Sequence, residues 1–125
     1  MHSVNANGAA IPALGLGTWT LKGEHCAEMV TEALAIGYRH VDTAASYDNE
    51  AAVGSGLRAS GVGRDDVFIT TKVWWTDIAP GDLERSAESS LKRLNRRRYG
   101  GEGCHREISH AHSRPVFTDF FLRTI

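Results

Sequence analysis

The chain is poor in cysteine, in long apolar runs and in net charge, and each shortage removes a class of function. Its two cysteines, Cys26 and Cys104, stand far apart among 125 residues. They make no disulfide framework, so a small stapled secreted scaffold is excluded and a reducing, cytoplasmic location is expected. No apolar run reaches the length of a membrane span, and no membrane partner is expected. The opening Met1-His2-Ser3-Val4-Asn5 has neither the basic nor the apolar region of a secretory leader. Lys and Arg number 14 against 15 Asp and Glu, a net charge of −1. Such a balance gives no case for a nucleic-acid partner. The length suits one ordinary domain with a core of its own.

What is present alternates in period. Asn7-Gly8 tolerates positive φ at both residues and favours a tight hairpin turn between Ser3–Ala6 and Ala9–Ile11. Residues 13–19, Ala13 to Trp19, read as a strand whose glycines suit close backbone approach. A helix is expected from about Glu24 to Ile36, with Cys26, Met29, Val30, Ala33 and Leu34 on one face and Gly37 as its stop. Tyr38–Asp42 is short and extended. Asp48 or Asn49 is placed to cap a second helix, which carries Val53 and Leu57 and ends at Ser60-Gly61. Val67–Val73 is the third strand of this series. Pro80 suits the first turn of a third helix, with Leu83, Ala87, Leu91 and Leu94 as its stripe and Glu88–Lys92 as an i,i+4 pair. Residues 13–94 thus read β-α-β-α-β-α, which implies an α/β fold with a parallel sheet covered by helices.

The most informative run is Gly37-Tyr38-Arg39-His40-Val41-Asp42-Thr43-Ala44-Ala45-Ser46-Tyr47-Asp48-Asn49-Glu50. An extended stretch ends in the carboxylate of Asp42, and the phenol of Tyr47 follows shortly after it. Lys72 stands at the end of the next strand. A carboxylate, a phenol and an ammonium near two successive strand ends are enough for a proton-transfer site. Taken singly, Tyr47 reads as a rim tyrosine, Asp42 as a cap and Lys72 as a solvated strand end. Only their place in a family signature reverses those readings.

Gly37, Tyr38, Arg39, Val41, Asp42, Thr43, Ala44, Glu50, Val53 and Gly54 fit every position of the signature of the aldo-keto reductases. Gly15-Leu16-Gly17-Thr18-Trp19 resembles that family's first barrel strand, and Thr71-Lys72-Val73-Trp74 its third. Ser89-Ser90-Leu91-Lys92-Arg93-Leu94 resembles its third helix. The resemblance covers about residues 1–94. It implies the hairpin and first three βα units of a (β/α)8 barrel, a fold that typically takes about 250 residues. It also implies NADPH-dependent reduction of aldehydes or ketones, with a small carbonyl compound as substrate. Tyr47 would be the general acid. A free phenol, with a pKa near 10, donates poorly at neutral pH, and the Lys72 ammonium would assist it. Asp42 would hold Lys72. Gly17, Thr18, Trp19 and Asp42 would lie at the cofactor, and Trp19, Tyr47 and Trp74 at the substrate. No metal is implied. Two adjacent tryptophans, Trp74 and Trp75, cannot both face one side of a strand.

The composition changes at Leu94. Residues 1–94 hold eight Lys or Arg against twelve acids, and residues 95–125 hold six Arg, no Lys and three acids. Residues 95–103 show neither helical nor strand period, the apolar run at residues 116–122 stands alone, and a change of reading frame or a splice onto unrelated sequence is the expected cause. His105 falls by count where the family's carbonyl-orienting histidine would stand, but its neighbours match nothing, so the coincidence carries no role. Cys104, His105, His110 and His112 have no usual zinc spacing. Arg96-Arg97-Arg98 reads as a solvated or disordered run. Three functional readings stay open from sequence: a reductase fragment inactive by itself, a non-catalytic remnant or binding barrel, and a basic-tail nucleic-acid binder. Three units alone leave the edge of Val67–Val73 unpaired, which predicts a partly molten or aggregating chain unless it self-associates through that edge.

Overall fold

The computed structural model describes residues 2–6 and 9–94. It opens with a hairpin, β1 (Ser3–Ala6) and β2 (Ala9–Pro12), paired antiparallel with Ala6 opposite Ala9. The turn residues expected there, Asn7 and Gly8, lie outside the described residues. So do residues 95–125, with Cys104, His105, His110, His112 and the arginine run. Three strand–helix units follow: β3 (Leu16–Gly17) and α1 (Gly23–Ala35), β4 (His40–Asp42) and α2 (Glu50–Ala59), β5 (Phe68–Thr70) and α3 (Asp82–Arg93). The strands form one parallel sheet in the order β3-β4-β5, with Gly17 opposite Asp42 and Asp42 opposite Thr70. This is the α/β plan read from the sequence, the hairpin and opening units of a (β/α)8 barrel.

The strands are shorter than their apolar runs, for backbone reasons. Ala13 donates its N–H to His2 O (2.9 Å), so it belongs with the hairpin and not with the sheet. Val67 donates back to Arg64 O (3.2 Å), closing a short 3₁₀ turn over Arg64–Asp66 before β5 starts. Beyond β4 and β5 the pairing continues through irregular backbone, Thr43 N–H to Thr70 O (2.8 Å) and Ala45 N–H to Lys72 O (3.1 Å). Those two bonds hold Lys72 beside the segment that leads to Tyr47.

The core lies between the sheet and its helices. Cys26, Val30 and Leu34 of α1 meet Val41, Val53, Val67, Ile69 and Leu94, all buried. Met29, expected on the same face of α1, is only half-buried. Gly37 stops α1 at φ 109°, where a side chain would be strained, and Tyr38 N–H closes onto Ala33 O (2.9 Å). At Gly56 a Cβ would stand 2.5 Å from Ala27 O, so α2 lies against α1 only because that position is bare. The hairpin joins the sheet at the start of β4, where His40 Nδ1 is 3.1 Å from Pro12 O.

The third helix departs from expectation at its entry. Pro80 lies outside α3, which begins at Asp82 after Gly81 turns the chain at φ 85°. Gly81 N–H donates to the Glu84 carboxylate (3.0 Å), which supplies the start signal assigned to Pro80. The helix's own ion pair is Arg85 with Asp82, not Glu88 with Lys92. Ala87, Ser90, Leu91 and Leu94 are buried, and Leu83 is half-buried. Among the described residues, β4 is the one strand paired with β5, and no helix is long and apolar enough to cross a membrane.

Candidate active site

The strands deliver Asp42 and Lys72 to the same end of the sheet. Asp42 closes β4, and Lys72 sits two residues past β5. The Lys72 ammonium donates to both carboxylate oxygens of Asp42, at 2.8 and 2.9 Å. It also reaches Thr43 O at 3.1 Å and the Tyr47 hydroxyl at 3.5 Å, with its nitrogen 5.2 Å from the centre of the Tyr47 ring. Tyr47 ends a short 3₁₀ turn over Ala45–Tyr47, after which Asp48 takes the left-handed conformation (φ 52°). The sequence-expected trio is therefore one contact cluster, on the strand ends where barrel enzymes keep their chemistry.

Lys72 remains charged in this setting. Burial pulls its pKa down, but the hydrogen bond and charge of Asp42, with the Tyr47 phenol, outweigh burial and hold it above the ordinary lysine value. A folded pKa above the unfolded one means that the ammonium's contribution is fully present below the unfolded value, about 10.4, and is lost as pH rises through the folded value. Chemical unfolding of the chain and of Lys72→Met across pH should show a stability gap that is level through neutral pH and shrinks at alkaline pH. A gap that widens there would contradict the pairing.

The other expected residues are placed as follows. Thr18 is fully buried, and both its N–H (3.0 Å) and its hydroxyl (3.1 Å) go to Asp42 O, so it braces the backbone of the site. Gly17 lies beside Asp42, and a Cβ there would meet nothing within 4 Å. Trp19 and Trp74, after the ends of β3 and β5, are 73% and 43% exposed. Trp75 is exposed as well, and starts a 3₁₀ turn (Trp75–Asp77) in place of a strand end.

These residues fit the nicotinamide end of NADPH. Side-chain-free backbone at Gly17 stands opposite Asp42, which holds the Lys72 ammonium beside the Tyr47 phenol, a pair suited to a carbonyl oxygen. A polar hollow of about 350 Å³ lies instead between the Trp75–Asp77 turn and α3, lined by Asp77, Asp82, Arg85, Ser86 and Arg93 among others. Of the segment between Asp42 and Tyr47, Ala45 alone lines it.

Three participants were not legible in the sequence. Lys22 donates to the backbone carbonyl of Tyr47. Glu50, 1% exposed, accepts from Thr71 Oγ1 (2.5 Å) and from Arg93 Nε (2.7 Å), tying the residue before Lys72 to α3. Asn49 occupies the N-cap position of α2, yet its side chain does not cap the helix. It accepts from Thr43 Oγ1 (2.9 Å) and donates to Thr18 O (2.7 Å) and Leu21 O (2.9 Å). The only signal for Glu50 was a charged residue inside a motif position. Asn49 was legible only as a candidate helix cap, and Lys22 carried no signal.

Known proteins resemble this chain in sequence and in fold. The family model described as the aldo/keto reductase family matches residues 13–110, continuing past Leu94 where the composition changes. Methylglyoxal reductase DkgB of Salmonella typhi is 50% identical over 84 residues, covering 67% of this chain and 32% of the relative. A crystal structure of a putative 2,5-diketo-D-gluconic acid reductase B superposes with a TM-score of 0.74 at 46% identity, covering 77% of this chain and 34% of that one. The Bombyx mori aldo-keto reductase in complex with NADP gives a TM-score of 0.68 at 35% identity, with 77% and 34% covered. The chain spans about a third of the length of these proteins. With the family model matched over most of its residues and the Asp42–Tyr47–Lys72 cluster in place, the chain belongs to the aldo/keto reductase family.

Proposed function

We propose that these residues form the proton-donating half of an NADPH-dependent carbonyl reductase site, acting on aldehydes or ketones to give alcohols. The observation that carries this reading is the Lys72 ammonium, bonded to both Asp42 oxygens and 3.5 Å from the Tyr47 hydroxyl. Bound NADPH supplies the hydride. Tyr47 donates its proton to the carbonyl oxygen, and the adjacent ammonium stabilises the phenolate left behind. Asp42 keeps the Lys72 side chain in place and balances its charge. The open backbone at Gly17 gives the cofactor ring room, and Trp19 and Trp74 flank the substrate. A small carbonyl compound is the substrate class, and a cytoplasmic location belongs to the same reading.

By itself, a polypeptide of these 125 residues is inactive on this reading and self-associates through the open edge of β5. Fusing residues 13–94 to the remaining units of the Salmonella methylglyoxal reductase tests the site. The fusion should oxidise NADPH with aldehydes, and Tyr47→Phe should stop it. A folded fusion that binds NADPH and reduces nothing would overturn the proposal.

A further inference from the structure

The segment Thr18–Lys22 carries Trp19 and leaves the sheet without strand pairing of its own. Leu21 N–H bonds back to Thr18 O (3.1 Å), and Thr20 is forced to φ 74°. A β-branched residue at such a φ is an outlier that neighbouring structure must hold in place. The holding groups come from the Tyr47 segment. Asn49, 3% exposed, places its amide nitrogen on the carbonyls of both Thr18 and Leu21, the two ends of the turn. Its amide oxygen is engaged by the Thr43 hydroxyl, which fixes which way the amide faces. Lys22 adds a third tie, to the Tyr47 carbonyl. Trp19 itself is 73% exposed, so burial does not hold it.

We propose that Asn49 is a positioning residue: its side-chain amide fixes the Trp19 turn against the segment bearing Tyr47, setting the indole at the mouth of the site. The proposal rests on the reductase reading for its purpose, but its geometry can be tested without turnover. Shape alone does not accomplish this. An aspartate has nearly the same outline and still accepts from Thr43, yet offers neither of the N–H donors that the two carbonyls need. That exchange removes both ties and turns a carboxylate toward the two carbonyls, whereas Thr43→Val keeps the volume and removes only the group that orients the amide.

The test is fluorine NMR of the full chain labelled with 5-fluorotryptophan, each resonance assigned by a Trp→Phe variant. The wild-type Trp19 resonance should differ from its position in the urea-denatured chain. In Asn49→Asp and Asn49→Ala it should move to the denatured position, while those of Trp74 and Trp75 stay put. Thr43→Val, which loses only the group orienting the amide, should move it part of the way. The Thr43→Val result stands even if the Asn49 variants do not fold. The proposal is overturned if Asn49→Asp leaves Trp19 unmoved, if all three resonances move together in Thr43→Val, or if wild-type Trp19 already sits at the denatured position. Loss of reductase activity in the fusion, with these shifts intact, would count against the catalytic reading and leave the positioning role standing.

Discussion

A polypeptide limited to these 125 residues should reduce no aldehyde with NADPH above background, although it holds Asp42, Tyr47 and Lys72 in contact. Magnitudes decide this. A positioned proton donor contributes about 10²–10⁴-fold, and that much is what the Tyr47 cluster can supply. Holding two reactants in a reactive geometry is worth effective molarities of about 10⁵–10⁸ M. In a barrel that placement draws on loops from several strand ends around the mouth. Here three strands contribute, and β5 is open on one side among the described residues. The loss from missing placement therefore exceeds the gain from the phenol. Absorbance at the nicotinamide band, with a broad aldehyde panel, reads the outcome. In the fusion carrying the remaining units, Tyr47→Phe should lower kcat by about 10²–10⁴-fold. Saturable NADPH binding by the 125-residue chain, with turnover abolished by Tyr47→Phe, would sink the claim. Turnover indifferent to Tyr47→Phe would identify a contaminating enzyme.

The cluster was legible because each member depends on local sequence. Asp42 ends a short β-branched stretch, Tyr47 follows on a turn of small residues, and Lys72 closes the next apolar run. Strand ends in a parallel sheet lie together, so reading the order β-α-β-α-β-α was nearly enough to bring them into reach. What escaped was long-range. An asparagine before a helix normally turns its oxygen onto the first turn's N–H groups. Asn49 instead faces the carbonyls of Thr18 and Leu21, whose position depends on a strand about thirty residues earlier. The strained φ of Thr20 has the same origin, since a threonine does not demand it. Pro80 failed as a helix start because Gly81 and Glu84 supply a better one two residues on. Strand lengths shrank where Ala13 and Val67 found nearer carbonyls. Pattern locates an element, while competition among backbone partners sets its ends.

Arg93→Met should destabilise the chain far more than Glu50→Gln, although the two residues share one ion pair. The Glu50 carboxylate is 1% exposed and Arg93's side chain 43% exposed. Without Arg93, the carboxylate stays buried with the Thr71 hydroxyl as its remaining donor among the described residues. Removing one partner of a buried pair costs about 3–5 kcal/mol, and the half-exposed guanidinium places this case at the lower end, near ~3. In Glu50→Gln the neutral amide keeps an acceptor for Thr71 and Arg93 turns to water, for a loss of about 1–2 kcal/mol. The double change Arg93→Met with Glu50→Leu should recover most of the loss, because no charge is then left buried. Urea unfolding at matched protein concentration, followed by far-ultraviolet dichroism, orders the variants. Equal losses for Arg93→Met and Glu50→Gln would show that the carboxylate finds solvent or another donor, and that the pair does not lock α2 and α3 to the strand end. If the predicted order holds, the loss reaches the site directly. Thr71, which Glu50 holds, immediately precedes Lys72, so a loosened Glu50 frees the backbone that presents the ammonium to Asp42 and Tyr47.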